Sequence, residues 1–385
     1  MRDYMVLAPW LAGAILSWVH ATAAQEQPLV EGGIGDKPFL SARMGQTRIG
    51  GYSEVHFRYG REDGITREIS FVAERFNLFS YTPVSDRLRV ASELEFEEGG
   101  EEIKIEIAVL DFELHPALTF RGGILLSPLG RFNLSHDSPV NDLTDRPLVS
   151  TEIIPTALSE AGMGIYGAHC PTASSRVTYE LYAVNGFDEG VIEVNGEGTR
   201  IPEGRGNWTD NNNRPSLVGR LAVSPRTAWE LGVSLHTGPY NEWEADGLAI
   251  DVERGLTIWA LDWDASWRGL ELLGEYARAA IEVPAEMGLL QESQAGVYVQ
   301  ANVHFGRGLF SALPESVCTG VLRYGTVDYD ADAVGDSRRR LTYGLNFRPT
   351  QDSVFKLDYQ RDSMRDPFNN EVRGAALLFS AATYF

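Results

Sequence analysis

From Gln46 onward the chain is written in short segments of period-two alternation, and the face opposite the apolar one carries charges. Leu88, Val90, Ser92, Leu94 and Phe96 alternate with Arg87, Arg89, Ala91, Glu93 and Glu95. Val177, Tyr179, Leu181 and Ala183 alternate with Arg176, Thr178, Glu180 and Tyr182, and Leu341, Tyr343, Leu345 and Phe347 with Arg340, Thr342, Gly344 and Asn346. Period two means β-strand. The dry core of a β-sandwich cannot take Arg and Glu on its inward face, because buried charges are costly unless paired. The pattern is satisfied when the charged face lines water and the apolar face meets lipid.

Segments of this kind fall at 46–57, 68–80, 87–97, 102–114, 117–126, 161–170, 174–185, 216–224, 227–237, 255–266, 269–280, 293–305, 316–327, 339–348, 353–361 and 372–385. Sixteen is an even number, and the lengths suit strands that cross a bilayer at a tilt. Short connections around 81–86, 115–116, 224–226, 267–269 and 349–352 alternate with longer polar ones at 58–67, 127–160, 186–215, 238–254, 281–292, 328–338 and 362–371. The connections at 98–101 and 306–315 fit the alternation least well. The expectation is an all-β protein: a transmembrane antiparallel β-barrel of about 16 strands, with long extracellular loops and short periplasmic turns. Residues 372–385 should pair beside 46–57, because an open sheet edge in hydrocarbon leaves backbone groups unsatisfied.

The N-terminus reads as an export signal. Arg2, the apolar run Met5–Val19 and the small residues Ala21-Thr22-Ala23-Ala24 predict a secretory signal over 1–24. A short periplasmic segment, 25–45, and the barrel, 46–385, follow. Mean hydropathy is slightly negative, which is how alternating strands average out. Cys170 and Cys318 are the only cysteines, too few for a disulfide framework. A net charge of −21 argues against nucleic acid as a partner.

In the last segment Leu377, Phe379, Ala381, Thr383 and Phe385 share one face. A terminal aromatic on an alternating strand resembles the signal read by the bacterial barrel-assembly machinery, which makes Phe385 the candidate assembly signal.

Several stretches of the first half resemble phosphate-selective porin O/P-type channels. They are Ile49-Gly50-Gly51-Tyr52-Ser53-Glu54-Val55-His56-Phe57, the region from Glu74-Arg75-Phe76 to Ser92-Glu93-Leu94-Glu95-Phe96, Gly122-Gly123-Ile124-Leu125-Leu126-Ser127-Pro128-Leu129-Gly130, Thr151-Glu152-Ile153-Ile154-Pro155-Thr156, and Glu160-Ala161-Gly162-Met163-Gly164-Ile165-Tyr166-Gly167. The resemblance covers about residues 46–170. It implies a sixteen-stranded outer-membrane barrel, a homotrimer, whose third loop folds inward to narrow the pore. Phosphate specificity does not carry over: that family uses clustered lysines, and this chain has only Lys37, Lys104 and Lys356.

The candidate constriction is therefore loop 127–160, with Arg131, Asp137, Asp142, Asp145 and Arg146, facing Arg87, Arg89, Glu93, Glu95 and Arg121 on the wall. The segments 127–160, 186–214, 239–254, 281–293 and 328–338, with Glu97, Glu98, Glu101 and Glu102, carry a net of −20. Such a rim concentrates cations, or meets lipopolysaccharide phosphates through divalent cations. The expected function is an outer-membrane porin of a Gram-negative bacterium, passing small hydrophilic solutes and ions with weak cation preference. The alternatives are an anion- or phosphate-selective porin and a plugged structural or adhesive barrel. The short stretch ahead of the first strand favours the channel. There is no nucleophile elbow, phosphate loop or His-Glu-x-x-His pattern, so no enzyme activity, metal or cofactor is expected. His136 with Ser135 or Ser138 lies in a loop and is not expected to be catalytic, and the acid pairs Asp262/Asp264 and Glu271/Glu275 are read as lumen-wall charges. Trp259, Trp263 and Trp267 share one face, either an aromatic girdle or protomer-contact surface or, if turned inward, a carbohydrate slide.

Overall fold

A computed structural model describes residues 43–44, 46–193, 198–284 and 290–385. The expected signal, 1–24, and the segment 25–45 apart from Arg43–Met44 and the turn before the first strand, lie outside the described residues or at their edge.

Sixteen long strands form the barrel: β1 Thr47–Glu62, β2 Ile65–Pro83, β3 Leu88–Glu97, β4 Glu102–His115, β5 Leu118–Leu126, β6 Ser159–Thr172, β7 Ser175–Val184, β8 Ser216–Arg226, β9 Trp229–Pro239, β10 Gly255–Trp267, β11 Leu270–Ile281, β12 Ser293–Phe305, β13 Val317–Asp328, β14 Ser337–Arg348, β15 Ser353–Arg365 and β16 Glu371–Tyr384. Each pairs antiparallel with its sequence neighbours, and β16 returns to β1 from Tyr52↔Tyr384 to Glu62↔Gly374. The sheet closes as expected. Among the described residues no barrel edge is left unpaired, which is what lets a sheet sit in hydrocarbon.

The interior and exterior are inverted relative to a water-soluble sandwich. Val233, Leu261, Leu322, Leu345, Leu357 and Phe379 are 43–52% exposed on the outside. Their sequence neighbours Ser234, Asp262, Arg323, Asn346, Lys356 and Ser380 are buried inside. Trp259 and Trp267 share the outward face with Leu261, so this face is the lipid-side reading of the tryptophan row.

Short turns at 84–87, 116–117, 173–174, 227–228, 268–269 and 349–352 gather at one end, with the longer 306–316 among them. At the other end lie 127–158, 185–215, 240–254, 282–292, 329–336 and 366–370. The expected loop at 58–67 is corrected. β1 and β2 run on to a two-residue hairpin, Asp63-Gly64, with φ of 45° and 82°. Two consecutive positive φ values make the type I′ turn that suits strand twist, and Gly64 takes its position without steric penalty.

Candidate pore constriction

The segment 127–158 does not extend away from the barrel. It folds into the lumen, with short helical turns at Phe132–Leu134 and Val149–Glu152. Its apolar side chains Leu129, Leu148, Val149, Ile153 and Ile154 are buried against Ile258, Ala260, Ala277, Ala279, Tyr298 and Val327 of β10 to β13. These wall positions face inward yet are apolar and mostly small, so the lumen has a dry seat on one side. Gly296 belongs to it: a Cβ there would lie 3.0 Å from Val149 Cγ2 and 3.0 Å from Val327 Cγ2. A side chain at this position would hold the Val149–Glu152 turn off the wall.

Around this seat the loop is fixed by polar contacts that reach most of the circumference. Gly130 N donates to Ser234 Oγ on β9 at 2.8 Å, and Phe132 N to Glu275 Oε2 on β11 at 3.2 Å. Thr144 N donates to Asp358 Oδ2 on β15 at 2.7 Å, and its hydroxyl lies 2.9 Å from Ser380 Oγ on β16. Arg323 on β13 donates to the Asp145 carbonyl at 2.6 Å. His136 Nε2 is 2.9 Å from Glu106 Oε1 on β4, while its Nδ1 is 2.8 Å from the Asn133 carbonyl oxygen. His136 thus spans loop and wall, and Ser138 turns away to the Glu54 carboxylate.

The loop residues expected at the constriction are all in the lumen, and each holds a partner. Arg131 Nη2 is 2.9 Å from Asp264 Oδ2. Asp137 accepts from Tyr384 Oη at 2.8 Å. Asp142 accepts from Asn302 at 2.8 Å and Asn346 at 3.1 Å, and pairs with Arg348 at 2.9 Å. Asp145 pairs with Arg58 and, at 3.4 Å, with Arg340. Arg146 donates to the Thr156 carbonyl at 2.6 Å.

The wall residues divide. Glu95 lies 3.1 Å from Arg75, which also reaches Glu97 at 3.1 Å and Glu54 at 3.4 Å. Glu93 accepts from Asn77 at 2.8 Å. Arg121 grips Asp111 with two bonds of 2.8 Å and stacks over Tyr166, and Arg89 pairs with Glu113 at 3.2 Å. Arg121, Asp111, Tyr166, Arg89 and Glu113 form a separate wall cluster towards the short turns. Arg87 is exposed in the turn 84–87, so it stands at the barrel end and not in the constriction. Sequence reasoning omitted Arg58, Arg75, Arg323, Arg348 and Glu106. Their signal was inward phase on a strand, which dozens of residues share.

One cavity borders the loop, and a second lies around Arg58 and Arg340, the wall partners of Asp145. The first, of about 450 Å³, separates Arg146 and Thr156 from Arg75, Glu95, Glu97 and Glu106, beneath Trp208 of the segment 185–215. The other, about 250 Å³, lies among Arg58, Arg67, Arg338 and Arg340, with Glu62, Glu68 and Asp362 opposing them. Among the described residues no group of three or more His, Cys, Asp or Glu is arranged to hold a metal. Cys170 and Cys318 are unpaired.

No family model matches the chain. It is 25% identical over 361 residues to an uncharacterized protein of Aquifex aeolicus (strain VF5), covering 86% of this chain and 79% of the relative. Solved structures share its architecture. The outer membrane channel DcaP of Acinetobacter baumannii superposes with a TM-score of 0.57 at 12% identity, over 88% of this chain and 97% of that one. An anion-selective porin from Comamonas acidovorans gives 0.56 at 10%, over 88% and 99%. OmpT of Vibrio cholerae, in its trimer form, gives 0.53 at 9%, over 89% and 100%. At such identities the likeness establishes the fold, a closed sixteen-stranded barrel of the outer-membrane porin kind.

Proposed function

We propose that this protein is an outer-membrane porin of a Gram-negative envelope, a water-filled channel for passive diffusion of small hydrophilic solutes and ions, narrowed by the inward loop 127–158. The observation that carries this reading is the loop itself. It is anchored in a charged lumen where two polar cavities remain, one walled by Arg146 and Glu95, the other by Arg58 and Arg340. Opposed acids and bases across a narrow passage set a transverse field, and selectivity follows from whichever sign dominates along the path.

Weak cation preference is the favoured selectivity, because the long connections at the loop end carry the chain's acid surplus. A second reading, anion preference, takes support from the smaller cavity, where Arg58, Arg67, Arg338 and Arg340 outnumber Glu62, Glu68 and Asp362. The O/P-type resemblance and a homotrimeric assembly belong to the same proposal, the latter in line with the trimer form of the Vibrio cholerae protein. Planar-bilayer recording decides among these readings. Ohmic single-channel steps with a reversal potential of cationic sign under a KCl gradient are expected. Absence of steps from correctly folded protein would make it a plugged barrel, and an anionic sign would establish the second reading.

A further inference from the structure

The outer surface of β14, β15, β16 and β1 carries a feature that the channel does not use. Reading across the strands near the long-loop end, one outward row is Arg339, Ser363 and Arg373, and the next is Leu341, Arg361, Ala375 and Arg61. One step further from the loops the row is Tyr343, Tyr359, Leu377 and Tyr59, and then Leu345, Leu357, Phe379 and Phe57. Four exposed arginines thus stand directly beyond a row rich in tyrosine, which stands beyond a row of Leu and Phe. Tyrosine rows mark the level where hydrocarbon gives way to headgroups. The arginines therefore lie at headgroup height, on the lipid side of the wall.

Their bonding differs from that of the lumen arginines. Arg373 is tied to Glu371 at 3.0 Å, and its backbone N–H donates to Asp63 at 3.1 Å. Arg61 donates to the Gly64 carbonyl. The side chains of Arg339 and Arg361 make no hydrogen bond or ion pair among the described residues, although Asp362 directly follows Arg361 in sequence. That acid points inward to Arg338 and Arg340. Arg339 and Arg361 are diagonal neighbours on adjacent strands, about 7–8 Å apart at the backbone, so both side chains can converge on one anion. Charge complementarity decides the occupant, because the loop end of this strongly acidic chain is otherwise negative. A planar guanidinium fork matches the oxygens of a phosphate, and two forks match a phosphorylated headgroup held at that height by its own acyl chains.

We infer that the outward groove formed by Arg61, Arg339, Arg361 and Arg373, floored by Tyr324 and Tyr359, is a binding site for a phosphorylated lipid headgroup of the leaflet on the long-loop side. The inference rests on the outer-membrane placement proposed above, but not on conduction. The acyl chains of such a lipid lie along the Tyr and Leu/Phe rows while its phosphate bridges Arg339 and Arg361.

The test uses the full barrel in zwitterionic detergent and native mass spectrometry with lipid A bearing both phosphates, against the same lipid after phosphatase treatment. Retention of the phosphorylated lipid should exceed that of the dephosphorylated one by tenfold or more. Arg339→Gln with Arg361→Gln should remove this difference. Arg226→Gln with Arg307→Gln, exposed at the short-turn end, should leave it unchanged. Heat-modifiable migration confirms that each variant is folded. Equal retention of both lipids, or displacement by millimolar inorganic phosphate, would overturn the site. So would loss of the oligomer with lipid retention intact, which would assign the arginines to contact between copies. Bilayer conductance of the same preparations separates the two proposals: a non-conducting barrel that still discriminates the lipids defeats the channel reading alone.

Discussion

The Lys356 ammonium on β15 donates to the Ser138 carbonyl of the inward loop at 2.9 Å, a contact spanning 218 residues of sequence. The same group lies 3.4 Å from the Leu143 carbonyl, and Lys356 is 1% exposed. One of the chain's three lysines is thus spent on holding the loop and does not line the water path.

Replacing Lys356 with Met keeps the stem's volume and removes the donor. Two buried carbonyls then lose their partner, at about 2 kcal/mol of loop docking free energy. The expected outcome is faster proteolysis within 127–158 and more frequent conductance fluctuations, with the barrel still heat-modifiable. A variant that records as quietly as the wild type would show that the other anchors suffice.

Gly296→Leu should press on the opposite side of the loop. The new side chain meets Val149 and Val327 where even a Cβ is at 3.0 Å, and overpacking of this kind costs about 1–3 kcal/mol. The melting temperature of the variant should fall, and adding Val149→Ala should restore part of it. Failure of that second change to help would place the strain elsewhere.

The barrel was legible because alternation survives wherever one face meets lipid. Closure of residues 371–384 on 47–62 followed from the same logic. The pattern failed at 58–67, where β1 and β2 outrun the membrane. There Arg58 and Glu62 point inward while Arg61 and Thr66 stand outside at and beyond headgroup height, so both faces are polar and the strand reads as a loop. Within the site, the loop was legible and its partners were not. Asp145 meets Arg58 and Arg340, 87 and 195 residues away, and such pairings depend on the stagger of the closed sheet, which no local spacing encodes. The apolar seat at Ala260, Ala277 and Ala279 was hidden for a related reason. Small residues on the lumen face read as weak alternation until something packs against them.

The Asp145 carboxyl gives a pH signature. Burial alone would raise it, but the Arg340 and Arg58 guanidiniums prevail and hold it at about 2. A carboxyl depressed on folding stabilises above its unfolded value, near 3.9, and loses that contribution as pH falls towards 2. The contribution is about 2 kcal/mol. Loop docking should therefore be unaffected by Asp145 titration between pH 7 and pH 5 and weaken between pH 4 and pH 2. Asp145→Asn should melt lower than wild type at pH 6, and the gap should narrow by pH 2. A gap independent of pH would refute the assignment.

Phe385 closes the seam between β1 and β16. Its N–H donates to Gly51 O at 2.9 Å, its carbonyl accepts from Gly51 N at 3.1 Å, and its ring stacks on Phe76 at 5.6 Å. Phe385→Ala keeps the backbone bonds and deletes the ring contact. Pulse-labelled cells should show slower conversion to the heat-modifiable form and more protease-sensitive precursor. Normal kinetics would remove the aromatic from the assembly signal.

The selectivity of the passage is best probed away from the anchors. Asp137, Asp142 and Asp145 are the obvious acids of the loop, yet they bond Tyr384, Asn302 with Asn346 and Arg348, and Arg58 with Arg340. Changing all three to Asn would loosen the loop and confuse a change of field with a change of bore. Glu97 and Glu102 border the larger cavity from the wall, sharing Lys104 at 2.7 and 3.1 Å. Arg67 and Arg338 border the smaller one. With acids dominating at the loop end, wild-type channels should show a weak cationic reversal potential under a KCl gradient. Raising the mean salt should reduce it, because the Debye length contracts from about 10 Å at 0.1 M to about 3 Å at 1 M. Glu97→Gln with Glu102→Gln should move the potential towards anions by several millivolts without changing conductance by more than about twofold. Arg67→Gln with Arg338→Gln should move it the other way if ions also pass the smaller cavity, and leave it unmoved if the larger one carries the current. Strong preference for phosphate over chloride in the wild type would sink the cationic reading, and would mean that the lumen arginines govern the field despite the acids that pair with them.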